Sequence, residues 1–153
     1  MKIEIDIQKQ QLSFAGRRYT VSTSKFGLGE KNGSFCTPRG THIVRAKIGA
    51  GQPLGAVFVR RRPTGEVWTP EMHERYPGRD WILTRILWLS GCEPGRNRLG
   101  EVDTMRRYIY IHGCPDSAEL GKPGSIGCVR MRNRDVAELF DLVPPYTPVE
   151  IKA

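Results

Sequence analysis

With 153 residues the chain is long enough for one compact core and too short for two ordinary ones, so a single domain spanning 1–153 is expected. Seventeen glycines and 11 prolines beside 39% hydrophobic content indicate a globular, turn-rich protein that leans to strands, and no run approaches the ~20 apolar residues of a membrane span. The formal net charge of +8 suits nucleic acid, anionic lipid or a small anionic substrate, and equally well a plain solvated surface.

The chain opens with KIEIDI, in which Ile3, Ile5 and Ile7 alternate with Lys2, Glu4 and Asp6, the pattern of a half-buried strand. QLSF, the Ala15-Gly16 pair and RYTVST then read as strand, turn and strand, so an antiparallel meander is expected over the first 25 residues. The opening MKIEIDIQKQ has neither the apolar core nor the cleavage site of a secretory signal, and the expected location is the cytoplasm. Four glycines and a Thr-Pro pair mark residues 27–40 as an irregular loop. THIVRAKIG resumes the alternation, with His42, Val44, Ala46 and Ile48 on the inner face.

Residues 49–80 mix glycine, proline and charge around one short strand, AVFVR, and are expected to form an insertion or lid of low regularity. WILTRILWLS (81–90) and RRYIYIHG (106–113) are core strands by composition. A helix follows, because Val136, Leu139, Phe140 and Val143 fall on one face after Asn133 or Asp135 as cap, and Pro144 and Pro145 end it. TPVEI supplies a final edge strand.

Cys36, Cys92, Cys114 and Cys128 form no C-x-x-C pair, and with no secretory signal reduced thiols are expected. HGCPDSAELGKPGSIGCVRM (112–131) gathers one of three histidines and two of the four cysteines, and admits three readings. A metal could be held by His112, Cys114 and Cys128, but a fourth ligand and a tight ligand pair are both missing. A buried histidine with a cysteine acting as a small hydrophobe is the structural reading. The third is a thiol nucleophile, which needs a nearby base or positive charge and backbone N–H groups for an oxyanion. His112 and Arg130 supply the first, and in SIGC the N–H groups of Gly127 and Cys128 supply the second, whereas Cys114 has no comparable setting. Cys128 is therefore the expected nucleophile.

IHG followed 16 positions after the histidine by SIGCVRM resembles the active-site signature of the L,D-transpeptidase catalytic domain, the YkuD family. The likeness extends to IEIDIQKQQLSFAGRRYTVSTSKFG, TPRGTHIV and NRDVAELFDLVPPYTPVEI, nearly the whole chain. It implies a mainly β, sandwich-like domain with one helix in the C-terminal region and no cofactor or metal. Cys128 would attack the L,D bond between the diamino acid and terminal D-Ala of a peptidoglycan stem tetrapeptide. His112 would serve as base and then acid, oriented by the backbone carbonyl of Gly113, with Gly127 at the oxyanion hole and Ser125 and Arg130 shaping the site and holding substrate.

Cys114 stands where the family often has a small polar residue, and residues 49–107 are longer than a minimal domain needs. Wall-cross-linking members are typically exported. In the cytoplasm, the expected activity is L,D-carboxypeptidase, with water as acyl acceptor, in murein recycling; L,D-transpeptidation, by cross-linking or D-amino acid exchange, is the alternative. The expected partner is a muropeptide, without a membrane span. A basic nucleic-acid-binding β-domain is a remote third reading, since aromatics are sparse at 8% and no RNA or DNA motif occurs. The sequence assigns no oligomeric state and no role to His42 or His73.

Overall fold

A computed structural model describes all 153 residues as ten strands, two α-helices and one 3-10 turn. Strands β1 (Ile3–Asp6), β2 (Gln11–Phe14) and β3 (Arg17–Ser22) form the expected meander, with Ile5 opposite Leu12 and Leu12 opposite Tyr19. Ala15 and Gly16 both take positive φ, 50° and 79°, the tight turn whose twist matches two antiparallel strands.

From β3 the sheet continues through β9 (Val129–Met131), β8 (Tyr110–Gly113), β7 (Ile82–Gly91) and β4 (Gly40–Ile48). Strand β10 (Pro148–Lys152) lies between β4 and β1, antiparallel to the first and parallel to the second. Because β4 also pairs with β7, the sheet closes on itself, and the two layers of the sandwich are one continuous sheet. The C-terminal strand is therefore interior. Its alternation, with Val149 and Ile151 buried, is that of an edge strand packed on one face, and nothing local in it signals the second neighbour.

Helix α2 (Asn133–Leu142) turns Val136, Leu139 and Phe140 into a core of 19 buried residues that Ile3, Ile5, Leu12, Leu89 and Ile111 also fill. Its N-cap is Arg132, without a side-chain cap bond, so neither Asn133 nor Asp135 caps it. The Asn133 side chain bonds instead to the loop after β8.

Residues 49–80 are more regular than expected. They carry a hairpin, β5 (Ala56–Val59) and β6 (Arg62–Val67), and a short helix, α1 (Pro70–Arg75). The hairpin pairs with the start of β7 and covers a second small core of Ala56, Phe58, Ile86 and Tyr110. Strand β8 is shorter than its apolar run, since Tyr108 at φ 58° breaks the extended backbone.

Candidate functional site

Strands β8 and β9 are parallel neighbours in the register Ile111 to Val129 and His112 to Arg130. A parallel pair needs a crossover of a dozen or more residues, which the loop between His112 and Cys128 provides. Ile111 and Val129 are wholly buried in the main core, so Tyr110, His112, Cys128 and Arg130 share the opposite face. The 16-position spacing in the sequence thus becomes lateral proximity across one strand pair.

His112 has no exposed surface, and its Nδ1 lies 2.6 Å from the Gly113 carbonyl oxygen. A carbonyl only accepts, so Nδ1 carries the proton and Nε2 keeps its lone pair. Nε2 is buried with no partner in the protein. Burial lowers the His112 pKa; Asp80 and the Gly113 carbonyl oppose this, and Arg130 adds to it.

Gly113 has no room for a side chain, because a Cβ there would strike Asn133 Oδ1 and lie 2.7 Å from the Leu83 carbonyl. Asn133 donates to Cys114 O at 3.0 Å and to Asp116 at 3.2 Å, and accepts from Thr84 Oγ at 2.6 Å. Thr84 sits at φ 73° beside a register shift in β7. Thr84 and Asn133 brace the turn that presents Gly113 O to the imidazole; the sequence reading missed both.

Cys128 is half-buried. Its thiol donates to Tyr108 O and its sulfur accepts from Tyr110 N–H, each at 3.3 Å. Burial pushes the thiol up to about 12; the Tyr110 N–H, Arg130 and Arg107 pull downward while Asp80 pushes up. No hydrogen bond joins this sulfur to His112 in the resting arrangement. Both members of the pair are consequently neutral near pH 7.

Ser125 donates to Cys128 O at 2.6 Å and accepts from Gly127 N–H at 3.3 Å, closing the turn that carries the thiol. The Gly127 N–H is already engaged by Ser125, whereas the Cys128 N–H has no acceptor in the protein. Gly127 at φ 131° serves the bend itself.

Arg130 binds Asp80 at 2.8 Å and Gly124 O at 3.2 Å. Asp80 comes from the far end of the 49–80 segment, and its one sequence signal was its place in a charged run. The ion pair lines a cleft of ≈ 400 Å³ with Lys25, His73, Arg79 and Gly124. His73 therefore borders the site, while His42 does not: it is buried between Gly40 O and Thr104, and burial lowers its pKa to about 4.

Cys114 is buried, donates to Met131 O at 3.3 Å and has its pKa raised by burial to about 11. No three histidine, cysteine, aspartate or glutamate side chains converge as a metal-ligand set. All four cysteines are free thiols.

Residues 1–151 match the family model of the YkuD L,D-transpeptidase catalytic domain. The chain is 32% identical over 123 residues to the probable L,D-transpeptidase YbiS of Escherichia coli (strain K12), a stretch covering 74% of this chain and 39% of that protein. It is 46% identical over 94 residues to the putative L,D-transpeptidase YkuD of Bacillus subtilis (strain 168), covering 61% of this chain and 47% of the relative. The matched part is thus less than half the length of either relative. Among solved structures, an L,D-transpeptidase from Mycobacterium smegmatis superimposes on 99% of this chain and 58% of its own, with a TM-score of 0.54 at 21% identity. L,D-transpeptidase 3 from Mycobacterium tuberculosis, in complex with a faropenem-derived adduct, does so over 99% and 59% with a TM-score of 0.56 at 12% identity. These structures share the fold, and the sequence match carries the kinship: with residues 1–151 inside it, the chain belongs to the family of YkuD L,D-transpeptidase catalytic domains.

Proposed function

We propose that the protein is a cysteine acyl-transfer enzyme that cleaves the bond between the diamino acid and terminal D-Ala of peptidoglycan stem tetrapeptides, with water as the final acceptor. The observation that carries this reading is the unpartnered, buried His112 Nε2 on the same sheet face as the Cys128 thiol, with Nδ1 tied to Gly113 O.

The chemistry follows from those atoms. The thiol turns from Tyr108 O and gives its proton to Nε2 as sulfur attacks the carbonyl carbon. The oxyanion takes the free Cys128 N–H, in a setting that Arg130 and Arg107 make electropositive. Collapse breaks the C–N bond, and the imidazolium returns its proton to the leaving D-Ala amine. Water then gives a proton to Nε2 and attacks the thioester; the C–S bond breaks, the imidazolium returns that proton to sulfur, and the tripeptide acid leaves with the thiol regenerated. Ser125 shapes the Cys128 turn, and Arg130, released from Asp80, holds substrate.

Water is favoured because it needs no binding site of its own, whereas an amine acceptor, peptide or D-amino acid, must be held beside the thioester. A cytoplasmic site of action in murein recycling belongs to the same proposal. The second reading, transpeptidation, rests on the relatives' names, each an L,D-transpeptidase. Incubation with a disaccharide tetrapeptide followed by mass spectrometry separates the two. Free D-Ala with tripeptide is expected; dimers joined between diamino acids would replace hydrolysis with transpeptidation, and an unchanged peptide would refute both.

A further inference from the structure

Two arginines occupy the turn of the β5–β6 hairpin, where a two-residue loop favours asparagine and glycine. Val59 pairs with Arg62, so Arg60 and Arg61 are the whole loop, at φ 49° and 66°. Left-handed backbone costs a bulky L-residue ~1 kcal/mol or more, and strain of this kind gathers at ligand sites.

The guanidinium of Arg61 lies over the rings of Trp88 and Tyr108, 5.1 and 4.8 Å from their centroids, and donates to the Tyr110 hydroxyl at 3.1 Å. It has five N–H donors, and this is the one hydrogen bond it makes. Neither Arg60 nor Arg61 has a carboxylate within ion-pair distance. Both line a cleft of ≈ 400 Å³ whose floor is Phe58, Ile82 and Ile86 and whose wall is Tyr108 and Tyr110. Cys128 adjoins residues that line it, since its sulfur bonds to Tyr108 O and Tyr110 N–H and its side chain packs against the cluster that contains Phe58, Ile86 and Tyr110.

The geometry points to a carboxylate subsite: Arg61, pre-positioned by three aromatic rings, and Arg60 grip an acid group of the substrate, while its aliphatic stem lies on the apolar floor beside Cys128. A guanidinium fork matches a carboxylate in two parallel hydrogen bonds, and the rings hold that fork rigid before substrate arrives. The cleft shares no lining residue with the one lined by Asp80 and Arg130. This inference rests on the acyl-transfer reading. In a stem tetrapeptide the acid group belongs to the acidic second residue, to the diamino acid side chain or to the terminal D-residue.

The test compares four tetrapeptides, one with free acids and three amidated in turn on the second residue, on the diamino acid side chain and at the terminus. They are assayed on wild type, on Arg61→Met, which keeps an apolar stem over the rings, and on the double variant Arg60→Asn with Arg61→Gly, which suits the turn. Both variants are expected to raise KM for the free-acid peptide about tenfold, the scale of one lost charge-assisted hydrogen bond, with kcat little changed. They should leave KM unchanged for whichever amidated peptide has already lost the contact, and that peptide identifies the source of the acid. Equal losses on all four peptides, or none, would overturn the subsite. Protection of Cys128 from iodoacetamide by the same peptides reads binding without turnover. Wild type that is protected but turns nothing over would sink the acyl-transfer reading and leave the subsite standing; turnover that is insensitive to both variants would do the reverse.

Discussion

A thiol and an imidazole that are both neutral at rest behave differently from a preformed ion pair, and the difference is measurable. Burial lowers the His112 pKa and raises that of Cys128, so in the proposed reaction the proton stays on sulfur until attack. Protonating Nε2 removes the base, and because its pKa is depressed the acid limb of kcat/KM is expected below the ordinary histidine value of 6.5. Alkylation of free Cys128 should still be accelerating above the ordinary thiol value of 9.0. Alkylation that levels off near neutrality would indicate a thiolate–imidazolium pair instead, and an acid limb above 6.5 would show that burial does not depress the imidazole. Cys128→Ala is expected to abolish turnover and His112→Ala to reduce it ~100- to 10,000-fold, while Asp116→Asn costs little because Asp116 bonds to Asn133 and not to the imidazole. His112, Cys128 and the Gly113 carbonyl were legible because one short segment carries all three. Asp80, Thr84 and Asn133 were not, since each reaches the site from an element remote in sequence, and Asn133 in the first helical turn looks like a cap.

At the scale of elements, β8 ends where β7, α2 and the following loop converge on one glycine. Gly113 has no left-handed φ, so its requirement is spatial: Asn133 Oδ1, the Leu83 carbonyl and Thr84 Oγ fill the place of a Cβ. Gly113→Ala must therefore displace the helix start or the bulged strand, at a cost of ~1–3 kcal/mol by the usual scale of overpacking. The carbonyl that orients His112 shifts with it, so kcat should fall by more than the stability loss explains. A urea midpoint lowered alongside a nearly normal kcat would show that the turn does not position the imidazole. Alternation revealed β1 to β4, and 3.6-residue spacing revealed the buried face of α2, because both depend only on neighbours along the chain. The left-handed turn at Arg60 and Arg61 hid β6, whose residues are all exposed and lack any apolar alternation.

The whole molecule depends on closure, a property of pairing that no single strand announces. Strand β10 joins β1 to β4, and β4 joins β7, so the last residues of the chain complete the ring that holds β8 and β9 in register. Their contribution is large. Val149 and Ile151 are 0% and 2% exposed, and burying each side chain is worth ~1.5–3 kcal/mol. Ladder hydrogen bonds on both edges of β10 add ~0.5–1.5 kcal/mol each, including those from Ile7 N–H to Lys152 O and from Val44 N–H to Thr147 O, both 2.9 Å. Together these approach the ~5–15 kcal/mol total stability of an ordinary domain. Deleting residues 147–153, far from Cys128 in the chain, is therefore expected to abolish cooperative urea unfolding and with it all activity. A synthetic peptide of residues 146–153 should restore part of both, because the gap between β1 and β4 is a strand-shaped site with backbone donors on either side. Unfolding of the truncated protein at an unchanged midpoint would mean that the remaining strands hold together without closure, and that β10 is dispensable to the ring.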